Sequence, residues 1–303
     1  MSVQHAGLSR LRRTEAWTAW VFVAPVVLGI GIFQLYPTLF SLYVSLTDWN
    51  LLTPPRWVGL SNYVDLFTVD RFFYQTLINT ATYALGTVLP GLALGMFFAV
   101  LLNRNIRGQQ IYRAIYFVPV VAPAVALAIL WAWLYDPNFG LINSVLRIVG
   151  IHGPPWLGST HWAMPAVIIE AIWAGLGFNI VIFLAGLQGI SREYYEAAAI
   201  DGANAAQQFG SITLPLLSPV TFFLLVTGVI GAWQDFTITY VMTGGGPAGA
   251  TQLIVLYLYT QAFRNQHMGV ASALAYTVFV VIVALTVLNF ALSRKWVFYE
   301  EAV

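Results

Sequence analysis

The chain has 303 residues, of which 59% are apolar and only 8% charged, against about 25% charged in a soluble domain, so too little polar surface exists to cover a water-facing core and the solvent is a bilayer. A formal net charge of +1 excludes a polybasic nucleic-acid surface, and the absence of cysteine excludes disulfides, thiolate metal sites and iron–sulfur clusters. Lys295 is the only lysine and follows Arg294, whereas a phosphate-binding loop needs glycine before its lysine, so the chain has no Walker A site of its own.

In chain order, charge-free stretches run from Glu15 to Asp48, Arg71 to Arg104, Arg113 to Asp136, Asp201 to Asp235 and Arg264 to Arg294, and a further apolar run, Ala163 to Gly186, carries Glu170 alone. A spanning helix needs about 20 apolar residues. The runs therefore predict an all-α, polytopic membrane protein with six spans near 17–40, 77–102, 112–134, 163–186, 212–234 and 268–292. The first span reads as a retained helix and not as a cleaved signal peptide, because its apolar run is long and no small-residue cleavage site follows. Leu141–Val149 and Leu253–Phe263 are too short to cross and read as helices lying on the membrane or packed over a pore mouth. No internal repeat or low-complexity tract divides residues 1–303, which read as a single transmembrane domain.

Six spans put both termini on one side. That side carries nine basic residues: Arg10, Arg12, Arg13, Arg104, Arg107, Arg113, Arg192, Arg294 and Lys295. The opposite side carries four: Arg56, Arg71, Arg147 and Arg264. The positive-inside rule then places both termini in the cytoplasm and the Pro/Gly turns at Pro54-Pro55, Pro154-Pro155 and Gly244–Pro247 outside.

Enzymatic chemistry finds little support. His5, His152, His161 and His267 lie in the N-terminal tail or outer loops without ligand spacing, and no nucleophile elbow, zinc-protease motif or carboxylate pair is present. Glu170 is more informative, since a carboxylate in mid-span costs about 2.5–3.5 kcal/mol on insertion scales and faces a cavity or a partner. Two readings of it stand: a hydrogen-bonded tie between helices, or a place on a translocation pathway with Trp173 one turn on and Asn179 beyond Gly175 and Gly177. Trp233, Gln234 and Asp235 form a second cluster at the outer end of the fifth span, where a solvated helix end is the plainer reading of Asp235. Trp17, Trp20 and Trp131 read as interfacial anchors.

The loop at 191–209, on the cytoplasmic side, is the sharpest feature. Ser191 caps a helix start, Glu193 sits in its first turn, Ala197, Ala198 and Ala199 carry the helix without bulk, and Asp201-Gly202 stops it. Taken alone, the segment is equally a rigid connector or a helix made to sit in a partner's groove. Glu196-Ala197-Ala198, then Gly202, then Ile212-Thr213-Leu214-Pro215 resembles the EAA motif of bacterial ABC-importer permeases at its full spacing. Tyr36-Pro37, the segment Trp57 to Tyr63, Phe117-Val118-Pro119, Gly140 to Asn143, Trp173 to Phe178 and Thr243 to Pro247 are similar to the carbohydrate-uptake branch, so the resemblance covers nearly the whole chain.

That resemblance implies a type I importer permease, and therefore a transport subunit and not an enzyme. It implies a second homologous permease, two ATPase subunits holding ATP and magnesium, an extracytoplasmic solute-binding protein, and no cofactor in this chain. Glu196, Ala197, Ala198, Asp201 and Gly202 would dock on an ATPase; Glu170, Trp173, Asn179, Trp233, Gln234 and Asp235 would line the pathway. The cargo would be a di- or oligosaccharide, a glycerol phosphate or a glycerophosphodiester. An ion-coupled secondary transporter is the alternative, but the inverted repeats and paired broken helices it calls for are not evident in the sequence.

The charge split makes a topology prediction. Reporter fusions at Gly59, Gly153 and Gly246 are expected to read outside and one at Gly108 inside; a cytoplasmic reading at Gly153 would refute the six-span arrangement.

Overall fold

Within hydrocarbon, long apolar segments satisfy their backbone polar groups only as helices or closed barrels. Helix is what the computed structural model shows for most of residues 3–103 and 108–298, the residues that the structure describes. Arg104 and Arg107, used in the charge split, lie outside them.

Helix α1 (Val3–Ile30) runs through a π turn at Gly31–Leu35 into α2 (Tyr36–Ser45). Pro37 offers no N–H to the carbonyl four residues back, and the Tyr36 N–H reaches instead to Gly31 O, so the extra residue of the π turn carries the helix past the proline. The apolar window of Trp17–Ser45 buries nothing within this chain, so that helix faces lipid or another subunit.

A two-residue antiparallel hairpin, β1 (Thr47–Asp48) with β2 (Arg56–Trp57), and helix α3 (Ser61–Thr68) follow. Buried Asn62 donates from Nδ2 to Ser45 O and Thr47 O, each at 2.9 Å, which gives the Trp57–Tyr63 segment a structural task. Helix α4 (Arg71–Leu102) starts at Asp70, whose Oδ1 accepts from the Phe72 and Phe73 N–H groups at 2.9 and 3.1 Å.

The third predicted span is a bent pair, α5 (Gln109–Val121) and α6 (Ala124–Leu134), meeting at 109°. Pro123 removes the N–H that Pro119 O would accept and pushes Ala122 into extended backbone, φ −78°, ψ 145°, so the apolar run is continuous in composition but not in helix. Helix α7 (Leu141–Ile148) is the first short piece. Buried Asn143 ties it to the segments before and after it, donating to Pro137 O and Pro154 O and accepting from Trp156 Nε1 at 2.7 Å. Outside the spans, the Asn138 and Phe139 amides at 2.8 Å hold the Asp136 carboxyl below its ordinary pKa.

Helix α8 (Ala163–Gly189) is unbroken, then come α9 (Arg192–Ile200), α10 (Ala205–Gln208), a π turn at Phe209–Thr213, α11 (Leu214–Leu216) and α12 (Ser218–Trp233). The fifth predicted span therefore begins earlier than residue 212 and bends by 60° between Leu216 and Ser218. Pro219 supplies no N–H to Pro215 O, and the Ser218 hydroxyl donates to that carbonyl in its place. Helices α13 (Thr237–Met242) and α14 (Ile254–Tyr259), a π turn at Thr260–Arg264 and α15 (Met268–Ser293) complete the chain. Among the described residues four helices are long and apolar enough to cross a membrane unbroken, or up to six when each bent pair counts as one span.

The core lies where α4 packs along α8, with α12 against α4 and α5 against α8. Small residues set these distances: a Cβ on Gly95 would lie 2.6 Å from Asn179 Cβ, and one on Gly177 would lie 2.1 Å from Tyr116 O. A backbone oxygen cannot swing aside as a side chain can. Gly177→Ala is thus expected to push α5 from α8 and lower the stability of the purified protein by about 1–3 kcal/mol. An unshifted thermal midpoint would show that the contact relaxes freely.

Candidate functional site

The break in the third span opens a wall of the molecule. A cavity of ≈ 450 Å³ lies between Tyr83, Thr87 and Val88 of α4, the Pro119–Leu127 elbow, Glu170 to Asn179 of α8, and Gly228, Gly231, Ala232, Asp235 and Ile238 around the end of α12. That volume is within the range of small-molecule sites, about 300–1,000 Å³. Its walls are small because Gly175, Gly228 and Gly231 and three alanines of α8 and α12 stand where larger side chains would fill it.

Polar groups in the cavity are few and one-sided. Glu170 is 1% exposed and its Oε2 has no hydrogen-bond partner, and Asp235 Oδ1 is likewise buried without one. Asp235 Oδ2 accepts from the Tyr83 hydroxyl at 3.1 Å, while Thr87 Oγ1 spends its proton on Tyr83 O at 2.8 Å. No basic side chain lines the cavity among the described residues, and none of their His, Asp and Glu side chains gathers in threes that could hold a metal ion.

Of the six residues that the sequence marks as pathway, the structure brings Glu170, Asn179 and Asp235 to this one cavity. Trp173 lies outside its lining, half-exposed, with its ring 5.5 Å from that of Trp131. Trp233 is buried in the core, and Gln234 is an exposed residue ending α12. Tyr83, which holds Asp235, is the functional candidate that sequence reading passes over. Nothing local marks it, because its partner lies 152 residues away.

The second site is the candidate loop at 191–209. Ser191 Oγ accepts from the Glu193 N–H at 3.3 Å and starts α9. At the other end Ala203 N–H donates to Ala198 O at 2.9 Å and Gly202 N–H to Ala199 O at 3.1 Å, with Gly202 at φ +83°, the paired bonds of a Schellman stop. A Cβ on Gly202 would meet nothing within 4 Å, so glycine is required there by backbone conformation and not by space. Asn204 and Gln207 then form a capping box that starts α10. None of α9 is buried; Glu196, Ala197, Asp201 and Gly202 are exposed, Ala198 is half-buried, and Ile200 is 88% exposed. The Tyr195 hydroxyl meets Thr213 Oγ1 at 3.0 Å and ties the helix to the start of the fifth span.

The Tyr83–Asp235 bond supports a prediction. Tyr83→Phe removes the side-chain donor to Asp235 and leaves its buried carboxyl the Ile238 backbone N–H alone, and is expected to lower the thermal stability of the purified protein by about 1–3 kcal/mol. An unchanged midpoint would mean that water or another group already serves Asp235.

With this geometry in hand, the comparisons with known proteins agree with one another. Residues 91–297 match the family described as binding-protein-dependent transport system inner membrane component. The chain is 38% identical over 297 residues to the probable ABC transporter permease YesP of Bacillus subtilis, covering 97% of this chain and 96% of the relative. It is 34% identical over 287 residues to the trehalose/maltose permease MalF of Thermococcus litoralis, with 94% and 97% covered. Against the sn-glycerol-3-phosphate permease UgpA of Agrobacterium fabrum it is 35% identical over 283 residues, with 92% and 96% covered. A chain of a bacterial alginate ABC transporter, solved with an alginate-bound periplasmic protein, superposes with a TM-score of 0.82 over 93% of this chain and 96% of that one at 22% identity, and so shares the fold. A multi-pass helical chain with a helix capped at both ends between its fourth and fifth spans, matched over its length by such permeases, belongs to the family of binding-protein-dependent transport system inner membrane components.

Proposed function

We propose that this chain is a permease subunit of an ATP-binding-cassette importer for a sugar or sugar-like solute, lining half of the pathway with the cavity between α4, α8 and α12. The observation that carries the reading is α9. It is a helix capped at both ends, with no buried residue, standing between two spans whose side chains line the cavity. A membrane protein gains nothing in its own core from such a helix, whereas a partner's groove would cover Ile200, which is 88% exposed, and the small alanine surface beside it.

In this reading a second, homologous permease completes the pathway, and each permease carries one ATPase subunit at its α9. ATP and magnesium reside on those ATPases. An extracytoplasmic binding protein delivers the solute at the outer face, where Ala248, Gly249, Gln252 and Ile254 are hydrogen-bonded to Gln75, Asn79 and Thr80 of α4. The names of the relatives, trehalose/maltose and sn-glycerol 3-phosphate among them, support the solute class. Both termini lie in the cytoplasm, the side on which α9 must meet its ATPase.

Coupling through α9 has a direct test. Gly202→Val forces a β-branched residue into left-handed backbone at about 1–2 kcal/mol, and Glu196→Lys reverses a charge on the exposed face. In the purified complex both are expected to lower solute-stimulated ATPase several-fold, leaving solute capture by the binding protein unchanged. Full stimulation in the doubly substituted protein would make this helix a mere connector.

A further inference from the structure

The cavity has an imbalance of hydrogen-bonding capacity. Its unused acceptors are the Glu170 carboxyl, for which no hydrogen bond is formed among the described residues, and Asp235 Oδ1. Its donors are mostly spent: Tyr83 on Asp235 and Thr87 on a backbone carbonyl, which leaves the Asn179 amide. A phosphate or carboxylate needs donors or cations, finds one amide, and meets two carboxyls in a low-dielectric pocket. A sugar hydroxyl both donates and accepts, so it satisfies an unused carboxyl oxygen without bringing further charge into the pocket.

A purely structural role does not account for Glu170. A tie between helices requires a partner, and this side chain, 1% exposed, has no hydrogen bond among the described residues. An unpartnered buried carboxyl is costly, and the cost is met when a ligand supplies the missing donor.

We infer that Glu170 and Asp235 are specificity-determining residues that admit an uncharged polyhydroxylated solute and reject solutes bearing phosphate or carboxylate groups. Family membership does not make this choice, since its permeases are named for both trehalose/maltose and glycerol 3-phosphate. The inference rests on the reading of this cavity as the solute pathway.

The test uses the complete complex without its binding protein, so that only the membrane site is sampled. Equilibrium binding of radiolabelled maltose and of radiolabelled glycerol 3-phosphate is measured on wild type, Glu170→Gln, Glu170→Leu and Asp235→Asn. Maltose is expected to bind and glycerol 3-phosphate not to compete. Glu170→Leu should weaken maltose binding about tenfold or more, while Glu170→Gln, which keeps an acceptor, stays within a few-fold. Glu170→Leu should also retain its subunits and its thermal midpoint, since an apolar side chain replaces an unpaired carboxyl; lost subunits with Gln and Leu alike would point to a structural role and overturn the assignment. Equal binding of the two probes, binding of neither, or maltose binding indifferent to Glu170→Leu overturns it as well. ATP-driven uptake of maltose in proteoliposomes with the binding protein separates the two levels: uptake that persists while the binding test fails removes only the specificity, whereas no ATP dependence removes the importer reading and the specificity with it.

Discussion

Inside a bilayer no water replaces a missing backbone hydrogen bond, and the bends of this molecule follow from how the missing donors of Pro37, Pro123 and Pro219 are handled. At Pro37 a π turn absorbs the defect and the helix runs on. At Pro219 the Ser218 hydroxyl takes the vacated Pro215 carbonyl and a 60° bend results. At Pro123 the chain turns by 109°, and the elbow so made is a wall of the cavity. The same residue type yields a continuous span, a hinge-like bend and an opening, depending on what stands beside it to accept or donate.

Close approach does the complementary work. Glycine on α4 lets Asn179 of α8 sit against it, and Gly177 lets α8 press on the Tyr116 backbone. Helices in lipid gain little from burying apolar surface against one another, because lipid tails are equally apolar, so packing at short range has to hold the bundle. Small residues on α8 and α12 serve two ends at once: they bring backbones together on one face and leave space on the other, where Gly228 and Gly231 line the cavity.

Much of this was legible in the sequence. Charge-free runs marked where the long apolar helices lie, and the short apolar runs at residues 141–149 and 253–263 correspond to the short helices α7 and α14. Ser191 and Gly202 marked the two ends of α9, because caps depend on local chemistry that the sequence spells out. The bends were not read, although Pro119, Pro123 and Pro219 were in view, since a proline's effect depends on whether a neighbour compensates. Glu170 was marked by its cost, but its lack of a partner is a tertiary fact. Trp173, Trp233 and Gln234 were grouped with Glu170 and Asp235 by nearness in sequence, whereas helical rotation sends Trp233 to the core and Gln234 to the surface. Tyr83 was invisible because a hydrogen bond spanning 152 residues has no sequence signature.

The two candidate sites are joined by covalent continuity. Helix α9 leaves α8 through Ile190 and Ser191, and α8 carries Glu170 and Asn179 into the cavity. It returns through the short capped α10 and the bend at Leu217 to α12, whose Gly228 and Gly231 form the facing wall. The first exit is brief; the second runs through α10, the π turn and α11, and Tyr195 fastens the helix to Thr213 across it. The Ser218 hydroxyl adds a further tie by accepting the Phe298 N–H at 2.8 Å, so the segment beyond the last span is held at the same bend. A force on α9 therefore has no long, slack loop in which to dissipate. As the coupling helix proposed above, α9 would act on both cavity walls, and a push on it would change the cavity's shape by rigid-body movement.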